Sequence, residues 1–297
     1  MLKTPLVSFV VTSYNYGKFL EQTLESIKNQ TYKHFEIIVV DDCSEDNSAE
    51  IVERFIQNNQ NMRITLIKHG KNLGQLASMI DGLKIAQGVF VSFVDSDDLL
   101  LPEYAAAHVK VHLETSAAFT SCSMLEIDEN NELHTAYSIS SPQDKDDIKS
   151  LAELSNTENV EYKKVKGKRF GGWYWSPNST AMHRKSSLEI ILNYKNADKW
   201  KVCPDKFIFN LMHLIGGSIN ISSPLVAYRR HKNNAGGTDY VTGDKKYNND
   251  ETTKRNISNN IKIRPETLKF LLDSRNNFIN KFGKRGFVKF IIKVLLF

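Results

Sequence analysis

Apolar and polar positions alternate in blocks along the first hundred or so residues. PLVSFVVT (5–12), FEIIVV (35–40), MRITLIK (62–68) and VFVSFV (89–94) are short, nearly continuous apolar runs rich in β-branched and aromatic residues, which is the pattern of buried strands. Between them GKFLEQTLESIKNQ (17–30), SAEIVERFIQNN (48–59) and QLASMIDGLKIAQ (75–87) place apolar residues at helical spacing. Ser44 and Ser48 are candidate caps for the second of these helices. Strictly alternating strands and helices predict an α/β fold: a mostly parallel open sheet, covered by helices through right-handed crossovers.

Every one of these strands ends in polar residues: Thr12-Ser13-Tyr14-Asn15, Asp41-Asp42, His69-Gly70-Lys71-Asn72 and Asp95-Ser96-Asp97-Asp98. In a parallel open sheet the carboxyl ends share one edge, and ligands bind there. Four polar clusters far apart in sequence are therefore expected to converge.

The second half is less regular. EYAAAHVKVHLE (103–114) predicts a helix, residues 128–170 a long polar loop or excursion, and GGWYWSPNSTAMHR (171–184) an aromatic, turn-rich stretch. VCPDKFIFNLMHLIG (202–216) predicts a helix opening on a proline and an acid, and INISSPLVAYRRH (219–231) one or two strands. Residues 232–262, rich in Asn, Gly, Lys and Thr, predict a mobile segment. The expected organisation is a ligand-binding half at 1–115, an irregular second half of the same domain at 116–230, and a loop with C-terminal helices at 231–297.

Composition changes this picture little. The chain has 297 residues, 41% hydrophobic and 25% charged, ordinary for a soluble globular protein with a sizeable core. The net charge of +5 suits an anionic substrate or membrane surface but is too diffuse to argue for nucleic acid. Cys43, Cys122 and Cys203 are odd in number and widely spaced, which excludes a disulfide framework or structural zinc site and suits a reducing, cytoplasmic compartment. The N-terminal apolar run is too short for a signal peptide, so the sequons at 29–31 and 178–180 read as chance.

The chemistry concentrates at Asp95, Asp97 and Asp98. Three carboxylates within four residues repel one another unless a cation or a set of donors offsets the charge. All-oxygen ligands without a Cys/His cluster suit Mg²⁺ or Mn²⁺. The bland reading is a solvated turn capping the next helix. His108 and His112 have metal spacing on one helix, but no HExxH accompanies them, and they read as surface or packing residues. Trp173, Tyr174 and Trp175 suit either stacking on a sugar or lipid acceptor or core packing.

VVTSYNYGKFLEQTLESIKNQTYKHFEIIVVDDCSED, followed by NLGQ and FVDSDDLLLP, resembles the nucleotide-sugar-binding half of the family 2 glycosyltransferases, which have the GT-A fold. The resemblance covers residues 5–102. The rest resembles the family only loosely, through WYWSPNSTAMHRKSSLE, PDKFIFNL and YRRH. It implies that Thr12 and Tyr14 flank the nucleotide base and that Asp42 bonds the base edge. Asp95 and Asp97 match the family's DxD pair, with Ser96 between them. Asp97 is expected to bind the divalent metal, and Asp95 the ribose or a metal-bound water. His231 matches a histidine that closes over metal and diphosphate, and Asp205 the general base, with Asp198 as the alternative. Where many members have Arg-Asn this chain has Met79-Ile80, and Gln75 is expected to take part of that work.

The resemblance therefore implies a metal-dependent inverting glycosyltransferase, a hexosyl- or N-acetylhexosaminyltransferase. It would use a nucleotide-sugar donor, UDP-linked, and a hydroxyl of a glycan or lipid-linked acceptor in cell-surface polysaccharide synthesis. A nucleotidyltransferase would share the sheet and the metal, but TSYNYGKF offers one Gly and one Lys after the first strand rather than a Gly-rich basic loop. A catalytically inactive glycan-binding module or scaffold would lack the base.

The C-terminus, KFGKRGFVKFIIKVLLF, places Lys289 and Lys293 on one face and Phe290, Ile291, Val294, Leu295 and Phe297 on the others, after Lys281, Lys284 and Arg285. It is too short and too charged to span a bilayer. It suits a short interfacial helix docking on a membrane, at the inner face of the plasma membrane, or packing against a partner subunit.

Overall fold

The four apolar runs of the first hundred residues form four parallel strands, β1 (Val7–Ser13), β2 (Phe35–Asp41), β3 (Ile64–Lys68) and β4 (Phe90–Asp95). They are joined by α1 (Gly17–Lys28), α2 (Ser48–Asn58) and α3 (Gln75–Ile85). The computed structural model describes residues 4–138, 141–143, 160–166, 175, 177–201, 203–231, 234 and 264–296. The segment expected to be mobile falls outside these residues except for its Asn234, and Trp173 and Tyr174 fall outside them altogether.

Beyond β4 follow the short β5 (Leu99–Leu100), α4 (Tyr104–Glu114), β6 (Phe119–Ile127), β7 (Leu133–Ser138), β8 (Ser141–Gln143) and β9 (Tyr162–Lys164). Then come β10 (Ala181–Arg184), the short α5 (Lys185–Leu188), α6 (Asp205–Gly216), β11 (Ser218–Arg229), α7 (264–273) and α8 (Arg275–Leu296). The sheet order is β3-β2-β1-β4-β10-β6-β11-β5. The second half joins the parallel half through β10, which runs antiparallel to both β4 and β6.

All seven residues of β1 are buried, as expected of a strand covered on both faces. Phe9 and Val11 point to a core with Leu20, Leu24, Val52 and Tyr104, under α1, α2 and α4. Val10, one residue out of phase, points to the other core, with Leu76, Met79, Leu83, Phe207, Phe209, Phe270 and Phe278 under α3, α6, α7 and α8. Gly82 is where α3 touches the sheet: a Cβ there would lie 2.3 Å from Val10 Cγ1.

Several local expectations are corrected. The third strand begins at Ile64 rather than Met62, because Met62 N–H closes a turn onto Asn59 O. Neither Ser44 nor Ser48 caps α2. Asp46 Oδ1 accepts from Ser48 N–H instead, while Ser44 Oγ accepts from Asn15 N–H. The long loop expected from residue 128 opens instead as a hairpin of β7 on β6. INISSPLVAYRRH, expected as one or two strands, forms one, bulged between Ile221 and Val226, where Pro224 interrupts the register.

The histidine pair is not on the surface. His108 and His112 are buried under the sheet, His108 Nδ1 2.6 Å from Thr120 Oγ1 and His112 Nε2 2.9 Å from Met182 O. Trp175 is likewise buried: it packs on Phe119 and Phe209 and donates through Nε1 to Ser218 Oγ at 2.9 Å. Of its two readings, core packing is the one observed.

Candidate active site

Because β1, β2 and β4 are parallel and in register, their carboxyl ends form one rim. Thr12 pairs with Val40 on one side and with Asp95 on the other, and Ser13 pairs with Asp41. Asp41 and Asp95 are therefore two strand spacings apart, roughly 10 Å across the sheet. Thr12 is buried and Tyr14 is exposed at this rim.

The two acids that end β2 do different things. Asp42 turns to the loop before α3: its Oδ1 accepts from Leu73 N–H at 2.7 Å, and its Oδ2 from Gly74 N–H at 2.7 Å. His69 Nδ1 adds a third contact at 2.8 Å, so Asp42 braces the loop. Asp41 has one oxygen committed, Oδ2 accepting from Ser44 N–H at 3.0 Å. Its Oδ1 is buried without a partner, and so is Ser13 Oγ beside it on β1. A buried acceptor left unpaired costs free energy unless a ligand supplies the donor. Sequence reading passed over Asp41. The Asp-Asp pair is visible in the sequence, but which of the two keeps an oxygen unpaired depends on the loop that packs against them.

The three acids after β4 also divide. Asp98 is fully buried and structural, its Oδ1 accepting from Arg229 N–H at 3.0 Å and its Oδ2 from Ser179 Oγ at 2.6 Å. Asp95 Oδ1 accepts from Gln75 Nε2 at 2.7 Å, and Asn178 donates to the same carboxyl. Gln75 thus reaches the site through Asp95. Asp97 Oδ2 lies 2.9 Å from His231 Nε2 and 3.4 Å from Asn234 Nδ2. Tyr16 and Phe19 hold the His231 ring, with centroids at 5.4 and 5.0 Å. Ser96 is buried, and its carbonyl accepts from Thr23 Oγ1 at 2.9 Å.

Asp205 opens α6, behind Pro204, and is buried. Burial pushes its carboxyl up to about 6, opposed by the Lys206 backbone N–H and the Lys206 charge. Asp205 also acts electrostatically on Asp95: burial, then Asp97, then Asp205 raise the Asp95 carboxyl well above the usual range. An acid from the second half therefore faces the acidic rim of the first. Asp198, the alternative base, lies exposed on the 3₁₀ turn Ala197–Lys199. Burial raises the Tyr16 hydroxyl, as do the charges of Asp97, Asp95, Asp98 and Cys203 in that order, so Tyr16 covers the same cluster.

Strain gathers here. Asn15, Cys43 and Cys203 have positive φ (60°, 66° and 52°); the first two adjoin Tyr14 and Asp42, and Cys203 precedes Asp205 by two residues. Such residues persist only where the surroundings over-determine them. Gly74 (φ 94°) sits where the loop before α3 meets the segment leading to Asp205. There Gln75 N–H and Leu76 N–H donate to Lys201 O and Trp200 O, at 3.3 and 3.2 Å, and Lys201 Nζ donates to Asn72 O at 2.8 Å. The N-terminus of α3 is thus capped by protein.

A divalent cation is testable against this donor set. Asp97 and His231 offer a carboxylate and an imidazole side by side, and no group of three or more metal-ligating side chains occurs among the described residues. Two protein ligands fit a cation whose other positions are filled by diphosphate oxygens and water.

A parallel half-sheet with an acidic rim, facing an acid delivered by a helix of a mixed second half, is the architecture of the GT-A fold. Residues 8–190 match the family described as Glycosyl transferase family 2, and the chain belongs to that family. A putative teichuronic acid biosynthesis glycosyltransferase, TuaG, of Bacillus subtilis is 32% identical over 116 residues, 39% of this chain and 45% of that protein. Glycosyltransferase GlyG of Streptococcus pneumoniae is 42% identical over 96 residues, 32% of this chain and 31% of its own. The chain thus spans less than half the length of these two relatives. Among solved structures, Staphylococcus aureus TarS (1–349) in complex with UDP-GlcNAc has a TM-score of 0.55 at 22% identity, covering 97% of this chain and 79% of that one. GalNAc-T7 with UDP, GalNAc and Mn²⁺ has a TM-score of 0.55 at 13% identity, over 78% and 45%. At these identities the two structures share the fold.

Proposed function

We propose that the chain transfers a sugar from a UDP-sugar to a hydroxyl of a glycan or lipid-linked acceptor, with inversion, in cell-surface polysaccharide assembly. The observation that carries this reading is the placement of Asp205, a buried acid at the start of α6 whose charge acts on Asp95 at the rim of the sheet. The UDP-GlcNAc complex of TarS and the putative teichuronic acid biosynthesis enzyme TuaG support the donor class and the pathway class.

In this reading the base and ribose lie across the ends of β1 and β2, against Thr12 and Tyr14. Asp41 Oδ1 and Ser13 Oγ, unpaired and buried, receive the donor's N–H and O–H groups, while Asp42 holds the loop behind them. Gln75 and Asn178 fix the Asp95 carboxyl toward the ribose side, and Ser96 shapes the turn. Asp97 and His231 would hold Mn²⁺ or Mg²⁺, which supplies charge neutralisation of the leaving diphosphate. Asp205 takes the proton of the acceptor hydroxyl as its oxygen attacks the anomeric carbon from the side opposite the diphosphate. One base and one displacement invert that centre. The C–O bond to the diphosphate breaks with its electron pair, and Asp205 keeps the proton.

The test is UDP release from a panel of UDP-sugars, with and without Mn²⁺, for wild type and Asp205→Asn. Metal-stimulated release that the substitution removes is the expected result. Release at equal rates from both proteins, or none with any donor, overturns the reading.

A further inference from the structure

The C-terminal helix has two apolar faces. Phe287, Phe290 and Val294 point inward and belong to the core with Phe270 and Phe278. α8 is broken at Gly283 (φ 73°), so residues 284–296 form a separate arm lying on the domain. Opposite the buried face, Val288, Ile292 and Leu295 follow one another at helical spacing and are 53%, 45% and 58% exposed. This stripe differs from the one the sequence suggested, where Phe290 and Val294 shared the candidate docking face.

Charge says what covers it. Residues 275–297 contain Arg275, Lys281, Lys284, Arg285, Lys289 and Lys293, and no Asp or Glu. Six of the chain's 39 basic residues and none of its 34 acidic ones lie there, so residues 1–274 carry 33 basic against 34 acidic, a net of −1. The net charge of +5 therefore resides on this helix. Lys284, Arg285 and Lys289 are exposed around the apolar stripe. Basic side chains flanking a narrow apolar stripe, on an arm already anchored by its opposite face, match an anionic lipid surface: phosphates meet the cations while the three aliphatic side chains enter the acyl boundary. Among the described residues no helix is long and apolar enough to cross a bilayer, so the contact is lateral.

We propose that the outer face of residues 284–296 docks on an anionic phospholipid membrane. The geometry gives the docking a use. α8 packs on α6, and the Lys293 charge reaches His213 on the last turn of that helix; burial, then Lys293, push that imidazole down to about 4. Asp205 lies eight residues earlier on α6, about 12 Å along its axis, so a lipid-linked acceptor in the same membrane would meet the site within one helix length. The docking itself does not depend on the glycosyl-transfer reading.

The test uses the full chain with vesicles of phosphatidylcholine alone or of phosphatidylcholine with phosphatidylglycerol, followed by co-sedimentation. Binding is expected only to the second kind and is expected to fall with added salt. Lys284→Gln, Arg285→Gln and Lys289→Gln combined should weaken it about 100-fold, at about fivefold per cation. Val288→Ser, Ile292→Ser and Leu295→Ser combined should weaken it at least tenfold, with the thermal midpoint of each variant unchanged to show an intact fold. Equal binding to both vesicle types, no binding to either, or wild-type binding by both variants overturns the proposal. So does a dimer in light scattering that the serine variant dissociates while vesicle binding is absent: the stripe then belongs to a second copy of the chain.

Discussion

His231 Nε2 lies 2.9 Å from Asp97 Oδ2, joining the end of the long strand of the second half to the acidic turn of the first across 134 residues of chain. The pair is buried, with Tyr16 and Phe19 against the imidazole. If the two side chains hold the cation, Asp97→Asn should lower turnover by about 10³-fold, the few kcal/mol a bound metal contributes. His231→Ala should raise the Mn²⁺ concentration for half-maximal rate roughly tenfold or more while leaving a measurable maximal rate. Metal titrations of UDP release separate the two effects. Identical metal curves for wild type and His231→Ala would remove His231 from the site.

Asp205 predicts both a pH profile and a stability change. A base held at about 6 must lose its proton to act, so kcat/KM should rise with pH through about 6 and level off above it. Asp205→Asn should cost about 10²–10⁴-fold and abolish that limb. Its folded value lies above the ordinary 3.8, so its contribution to stability is present in acid and lost as pH rises through about 6. At pH 7 Asp205→Asn should therefore stabilise the fold by about 1–3 kcal/mol, readable as a higher thermal midpoint. A variant that is less active and also less stable would point to a purely structural acid.

Gly74→Ala probes the loop that Asp42 braces. The residue has φ 94°, and a Cβ would stand 2.9 Å from Lys201 Cδ and 3.0 Å from Lys201 Cα. The substitution should cost about 1–3 kcal/mol in urea unfolding. It should raise KM for the donor more than it lowers kcat, because the loop, rather than the base, is displaced. An unchanged KM would detach this loop from donor binding.

Three buried histidines, two on α4 and one on β10, predict acid lability. Burial is the first cause that holds His108, His112 and His183 below their ordinary value, His112 at about 4 and His183 at about 3. A base depressed in the fold takes up a proton on unfolding, so stability is lost as pH falls below 6.5. For His112 alone the loss by pH 5 is about 2 kcal/mol. His183 stacks on Phe119 and Phe209 with Nδ1 unpaired, so His183→Phe should keep the packing and remove about one proton from the uptake. Chemical denaturation at pH 7 and pH 5 measures this. An unchanged pH slope would mean that this imidazole is already charged in the fold.

The parallel half was legible in the sequence because strands buried on both faces are mostly apolar over short runs, as FVV in Val7–Ser13 and FV-FV in Phe90–Asp95 are. FTSCSMLEI was not legible as the strand Phe119–Ile127. Its Ser and Thr hydroxyls are buried on distant partners, Thr120 on His108 and Ser121 on Thr180, and no local pattern announces such pairs. The converging rim was legible from strand ends alone, and so was an acid opening α6. Asn178 on Asp95 and Arg229 on Asp97 O were not, because each contact spans more than 80 residues. The unpaired Asp41 oxygen was hidden too: two adjacent aspartates at a strand end do not say which of them the following loop will engage, and here Leu73 and Gly74 N–H take Asp42.

The seam where Trp200 and Lys201 carbonyls cap the start of α3 ties the loop before that helix to the segment that carries Asp205. Recombination between family members is constrained accordingly. A hybrid taking its first hundred residues from one enzyme and the remainder from another would separate Asn72, Gly74 and Leu76 from the backbone that fits them. The properties of this chain are therefore better altered by substitutions outside 200–205 than by exchanging halves.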